Sequence, residues 1–153
     1  MTTTQTNARN EINAHFYDAW KAFTPSIIGY IPPVEWQGAQ PLKAPDKAKH
    51  WAHLSQQIVI DRQETLSVCT GEPGKKRFNT QGLIFVQLFC PKSLVNSFAK
   101  GGELCEVIKT AFRGKTTTPS KIWFRNARYT PLEPEDLYYR YNFVAEFEFD
   151  EIA

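Results

Sequence analysis

Histidines, cysteines and paired carboxylates are the side chains here best suited to bond-making chemistry, so their spacing is read first. His50 and His53 lie three apart. On a helix that spacing would turn both imidazoles toward one metal. The segment around them alternates like a strand, where three apart means opposite faces, so the two rings cannot converge, and no further ligand cluster accompanies them. His15 and Asp18 are neighbours on an amphipathic helix and are expected on its solvated face. Cys69, Cys90 and Cys105 make an odd count at irregular spacing. That is not a disulfide framework, and it reads as buried free thiols in a reducing compartment. Cys69 or Cys90 could act as a nucleophile only with a histidine brought close by folding, and no local signature points to one. Gly71-Glu72-Pro73-Gly74-Lys75 has the wrong spacing for a phosphate-binding loop. No catalytic, cofactor-binding or metal-ligating residue is assigned on these grounds.

What remains is chemistry of contact. Lys75, Lys76, Arg77 and Phe78 form a basic tip beside an aromatic ring, suited to a protein surface or to phosphates. Glu146, Glu148 and Asp150 alternate along a strand and point to one side, where like charges call for water or a basic partner. A basic loop on a neighbouring copy would answer that ladder. Trp36 stands nearly alone in a proline-rich stretch and either tucks back on the core or anchors an interface. These eight residues are the candidate protein-interface set.

The elements that position them follow from periodicity. A helix is expected over about 6–23, with Ala8, Ile12, Phe16, Ala19, Trp20 and Phe23 as one apolar stripe, capped by Thr or Asn and stopped by Pro25. Residues 27–31 read as short and extended. Residues 32–45 hold four prolines and read as an ordered loop or arm rather than a sheet strand. A strand is expected over 51–61, with Ala52, Leu54, Ile58 and Ile60 on one face, and 63–68 continuing or pairing with it. A turn-rich tip over 70–77 leads to a central strand over 82–91, apolar on both faces. A second helix lies within 93–112, with Leu104, Val107, Ile108, Ala111 and Phe112 on its core face. Gly101-Gly102 would delay its start. A strand over 121–129 and a turn over 131–136 precede the last strand, 138–150, with Tyr139, Tyr141, Phe143, Ala145, Phe147 and Phe149 inward. That strand would run about 40 Å, so it bends or leaves its own sheet. The order predicts one α+β domain over 1–153: a mostly antiparallel sheet of about four strands, two main helices on one face, and extended loops or a hairpin arm.

A chain of 153 residues, 14% aromatic and 22% charged with net charge +2, has the makings of one core and no strong electrostatic bias toward nucleic acid or membrane. The polar start and the lack of a long apolar run predict neither a secretory signal nor a membrane span, so synthesis in the cytoplasm is expected.

The arrangement resembles the tail-terminator, or tail-completion, proteins of long-tailed phages. Four stretches carry the resemblance. They are the helix ending in Trp20-Lys21-Ala22-Phe23 before its proline-rich stretch, the strand opening Trp51-Ala52-His53-Leu54, the run Arg77–Pro91 followed by a helix to Phe112, and the final Tyr138–Phe147 strand. Residues 62–76 and the Gly101-Gly102 pair depart from the pattern. The resemblance implies a non-enzymatic virion protein, assembled in the host cytoplasm, that forms a ring, generally a hexamer, on the head-proximal end of the tail tube. Its partners would be its own copies, the tube protein and the head–tail connector or neck, with DNA passing through the lumen unread. A connector or neck role, a small nucleic-acid-binding domain using Lys75, Lys76 and Arg77, and a small enzyme built from distant residues are the competing readings. No cofactor is implied.

Overall fold

The structure, a computed structural model, describes residues 3–39, 48–64 and 74–153. The first helix, α1 (Gln5–Phe23), is capped by Thr4, whose hydroxyl accepts from the Asn7 N–H at 3.2 Å. It buries Ala8, Ile12, Phe16 and Trp20. At its end the Trp20 indole donates to the Pro32 carbonyl at 3.0 Å, and the Thr24 hydroxyl donates to the Trp20 carbonyl at 2.6 Å. Pro25 does more than stop the helix. Its fixed φ suits a first helical turn, and it opens the four-residue α2 (Pro25–Ile28), which closes at Gly29 with φ +81°. The extended piece expected from residue 27 therefore begins only after Gly29. Phe23, expected on the buried stripe, is 60% exposed.

Five strands form one sheet: β1 (Val34–Trp36), β2 (Trp51–Gln63), β3 (Arg77–Pro91), β4 (Trp123–Leu132) and β5 (Tyr138–Ile152), in the order β1-β2-β3-β5-β4. The sheet is mixed, because β1 runs parallel to β2 while every other pair is antiparallel. The expectation of about four strands missed β1. Pro32 and Pro33 lie just outside it, and the Pro33 carbonyl accepts from the Ala52 N–H at 3.0 Å, so prolines flank an edge strand without interrupting it. Pro131 likewise sits inside β4, the other edge, and the expected turn shrinks to the residues after Leu132.

β3 is central, as its two apolar faces predicted, and it starts at Arg77 rather than at residue 82. β5 does not leave its own sheet. β3 is equally long and pairs with it from Pro91↔Tyr138 to Arg77↔Ile152, and Lys76 and Ala153 add a reciprocal pair of backbone bonds beyond. Thr3 joins the same end, its N–H donating to the Asp150 carbonyl at 3.0 Å. In β2 a bulge at Val59 shifts the register between Ile58 and Ile60. That flips Ile60 off the core face on which alternation had placed it.

The helix α3 (Ser97–Phe112) begins four residues before the glycine pair that was expected to delay it. Tertiary packing explains this. A β-carbon at Gly101 would overlap the Cys90 sulfur and lie 2.9 Å from the Tyr141 ring, so glycine lets α3 lie directly on β3 and β5. Leu104, Cys105, Ile108 and Phe112 join α1 and the inner sheet residues Leu54, Ile84, Val86, Leu88, Phe143, Ala145 and Phe147 in one core. Both long helices therefore cover the same face of the sheet.

Candidate functional site

Alternation along the strands fixes what the other face carries. Register places Trp51, His53, Ser55 and Gln57 of β2 beside Phe89, Gln87, Phe85 and Leu83 of β3, and these beside Arg140, Asn142, Val144 and Glu146 of β5. No helix among the described residues packs on this side. Its upper end is aromatic. Trp51 and Phe89 stack with centroids 4.0 Å apart and planes 7° apart, and Tyr138 meets both edge-on. Its middle carries Leu83, Phe85 and Val144, all half-buried.

Its lower end is ionic. Arg77 Nη2 lies 2.6 Å from Asp150 Oδ2, and Arg125 Nη2 lies 2.5 Å from Glu148 Oε2. Between them the buried Asn79 donates to Glu148 at 2.8 Å and to Asp150 at 3.0 Å. The Asn126 amide donates to Glu146. The hydrogen bond and charge of Asp150 hold the Arg77 guanidinium above its ordinary pKa. The acidic ladder was expected to face water or a basic loop on a neighbouring copy. Its first partners lie in its own chain, where the β3–β5 and β4–β5 registers bring Arg77, Asn79 and Arg125 alongside.

Of the other candidates, Trp36 tucks back, edge-on to Phe16 at 6.1 Å and Tyr17 at 5.7 Å. Phe78 is half-buried between Gln63 and Glu151. Lys76 continues the β5 ladder through its backbone, and Lys75 precedes it. Residues 65–73, which hold the end of the expected 63–68 continuation, the first half of the turn-rich tip and Cys69, lie outside the described residues, as do 40–45 of the expected proline-rich arm. The strand reading missed Trp123, 57% exposed beside the ionic end, because it rests on a register that only the folded sheet supplies.

No protein-family model matches this chain. No curated protein matches it either. One solved structure, known only by a sequence identifier, shares the fold: it is 14% identical at a TM-score of 0.55, over 92% of this chain and 94% of that one. A second, a chain of the "Virion of native gene transfer agent (GTA) particle", is 15% identical over 90% of this chain and 92% of that one. Its TM-score of 0.45 is too low to carry an argument.

Among the described residues, the histidines and cysteines form no cluster on this face, where His53 alone stands. His50 is buried. Its Nε2 donates to the Ser97 carbonyl at 3.1 Å, and its backbone N–H donates to the Tyr30 hydroxyl at 2.8 Å. Burial pulls its pKa below the ordinary 6.5, and the Lys100 charge adds to this against the pull of the Ser97 bond. His53 lies on the opposite side, 3.1 Å from Glu35, so the two histidines diverge as expected. His15 is not on a solvated face. Its Nε2 donates to the Ala111 carbonyl at 2.7 Å, and its ring stacks on Phe124 at 5.1 Å. Cys90 and Cys105 are buried free thiols, and burial pushes Cys90 up to about 12. Among the described residues no helix is long and apolar enough to cross a membrane, and no acidic, histidine or cysteine cluster could hold a metal.

Proposed function

We propose that this chain is a non-catalytic structural subunit of a phage virion, and in finer terms a tail terminator. Copies would close into a ring, a hexamer, on the head-proximal end of the tail tube. The observation that carries this reading is the sheet face on which no described helix packs, aromatic at one end and ionic at the other. A sheet covered on one side alone keeps a broad, structured surface for other chains. The stretches that carry the sequence resemblance also support it. They build α1, β2, β3, α3 and β5, one continuous body rather than scattered pieces.

The mechanism follows from unlike ends. A ring closes when one surface of each copy meets a different surface of the next. One rim then matches the tube, and the other offers no template for further tube protein, so growth stops and the connector docks. DNA passing through the lumen requires no base contact, and the engagement of Arg77 by Asp150 suits a role other than gripping phosphate. Purified protein added to a tube-polymerising reaction should cap tube length. Unchanged length distributions, with rings absent from negative-stain images of tube ends, would refute the terminator role.

A further inference from the structure

The helix side carries a feature that the sheet face does not explain. Between the end of α1, α2 and the middle of α3 runs a groove of about 490 Å³. Phe23, Ile27 and Val107 line it, and Glu103 and Glu106 stand on its α3 wall. Glu106 is engaged by Tyr129 and Lys109, whereas Glu103 is exposed and has no partner among the described residues. The volume is in the range that takes a few aliphatic side chains or one small ligand.

The same chain carries a matching projection. The turn from β3 into α3 presents Leu94, 38% exposed, and Val95, 86% exposed. The turn is set by its own backbone. The Leu94 N–H donates to the Pro91 carbonyl at 3.4 Å, and Asn96 holds a left-handed φ of +59°. Lys92, 5.6 Å over the Tyr139 ring, and Lys100, whose Nζ donates to the Ile27 carbonyl at 3.5 Å, flank it and carry no acidic partner among the described residues. Leu94 and Val95 line a separate, smaller hollow with Ile28, so α2 stands between the turn and the groove of its own copy.

We propose that the groove receives the Leu94–Val95 turn of a second copy of this chain. An apolar tip of two aliphatic side chains enters an apolar trough, and the flanking lysines come against Glu103. Both halves are preformed, so little side-chain or backbone freedom is lost on docking. The two surfaces differ, so the contact is heterologous and can pass from copy to copy. It rests on the exposure and charge of these residues, and it holds whether or not the assembly belongs to a tail.

The test uses the full chain in a Cys69→Ser background, with Val95→Cys in one preparation and Val107→Cys in another. Mixing them under mild oxidation should give a disulfide-linked heterodimer, while each preparation alone gives little. Sedimentation should show wild-type protein assembling with concentration, and Val95→Asp and Phe23→Asp each remaining monomeric with an unchanged melting temperature. A monomer at every concentration, or no cross-link in the mixture, overturns the proposal. Assembly that survives Val95→Asp yet fails with Phe23→Asp also overturns it, because something other than the turn then fills the groove. Tube-length control is a separate readout, so a failed terminator role and a failed contact remain distinguishable.

Discussion

Gly101 lies so close to Cys90 that a single added methyl group would overlap the sulfur, while the ring of Tyr141 closes the same space at 2.9 Å. A β-carbon at its neighbour Gly102 would lie 3.4 Å from the Tyr141 hydroxyl, an ordinary contact. The two glycines are therefore not equivalent.

Gly101→Ala should destabilise the fold by about 1–3 kcal/mol, since overpacking outweighs the better helix propensity of alanine. Gly102→Ala should be neutral or stabilising by up to about 1 kcal/mol. Urea unfolding of both variants measures the contrast, and equal effects would mean that α3 does not sit on β3 as described.

Stability should fall in mild acid through His50. Its folded pKa is held below the ordinary 6.5 by burial, so unfolding makes it a better proton acceptor. The stability this contributes is whole above pH 6.5 and is lost as pH falls through the folded value. His50→Gln should be less stable near neutrality and lose less between pH 6.5 and 5. Urea midpoints across that range, wild type against variant, read the difference, and parallel curves would contradict it.

The ionic end of the sheet face should depend more on its amide than on its guanidinium. Asn79 is buried and donates to two carboxylates, so Asn79→Ala leaves both short of a donor and should cost about 1–3 kcal/mol. Arg77→Ala removes an exposed ion pair and should cost less, with an effect that fades as salt is raised. Thermal melts at low and high salt rank the two.

Cys90 and Cys105 should resist a thiol reagent until the chain unfolds. Both are buried, and burial pushes their pKa values well above the usual thiol range. Labelling followed by peptide mass mapping should find them unmodified in the native protein and modified in denaturant.

Much of the scaffold is legible before folding. The stripe Ala8, Ile12, Phe16 and Trp20 and the alternation from Tyr139 to Phe149 each repeat one period long enough to outweigh local noise. The failures share a cause. β1 is three residues long beside two prolines, and only its parallel pairing with Ala52–Leu54 makes it a strand. The bulge at Val59, which turns Ile60 outward, depends on pairing with Gly82 and Gln81, where a β-carbon at Gly82 would overlap the Gln57 carbonyl. Gly101 reads as a helix weakener in sequence and as a packing necessity in the fold. At the site, Glu146, Glu148 and Asp150 are recognisable as a one-sided ladder. That Arg77, Asn79 and Arg125 answer it depends on strand order, which no local pattern encodes.

The backbone bond from Thr3 to Asp150, with Lys76 and Ala153 paired beside it, gathers both ends of the described chain at one corner of the sheet. A short linker could bridge that corner, so the polypeptide could be opened at another surface loop and its connectivity rearranged while the sheet keeps its pairing.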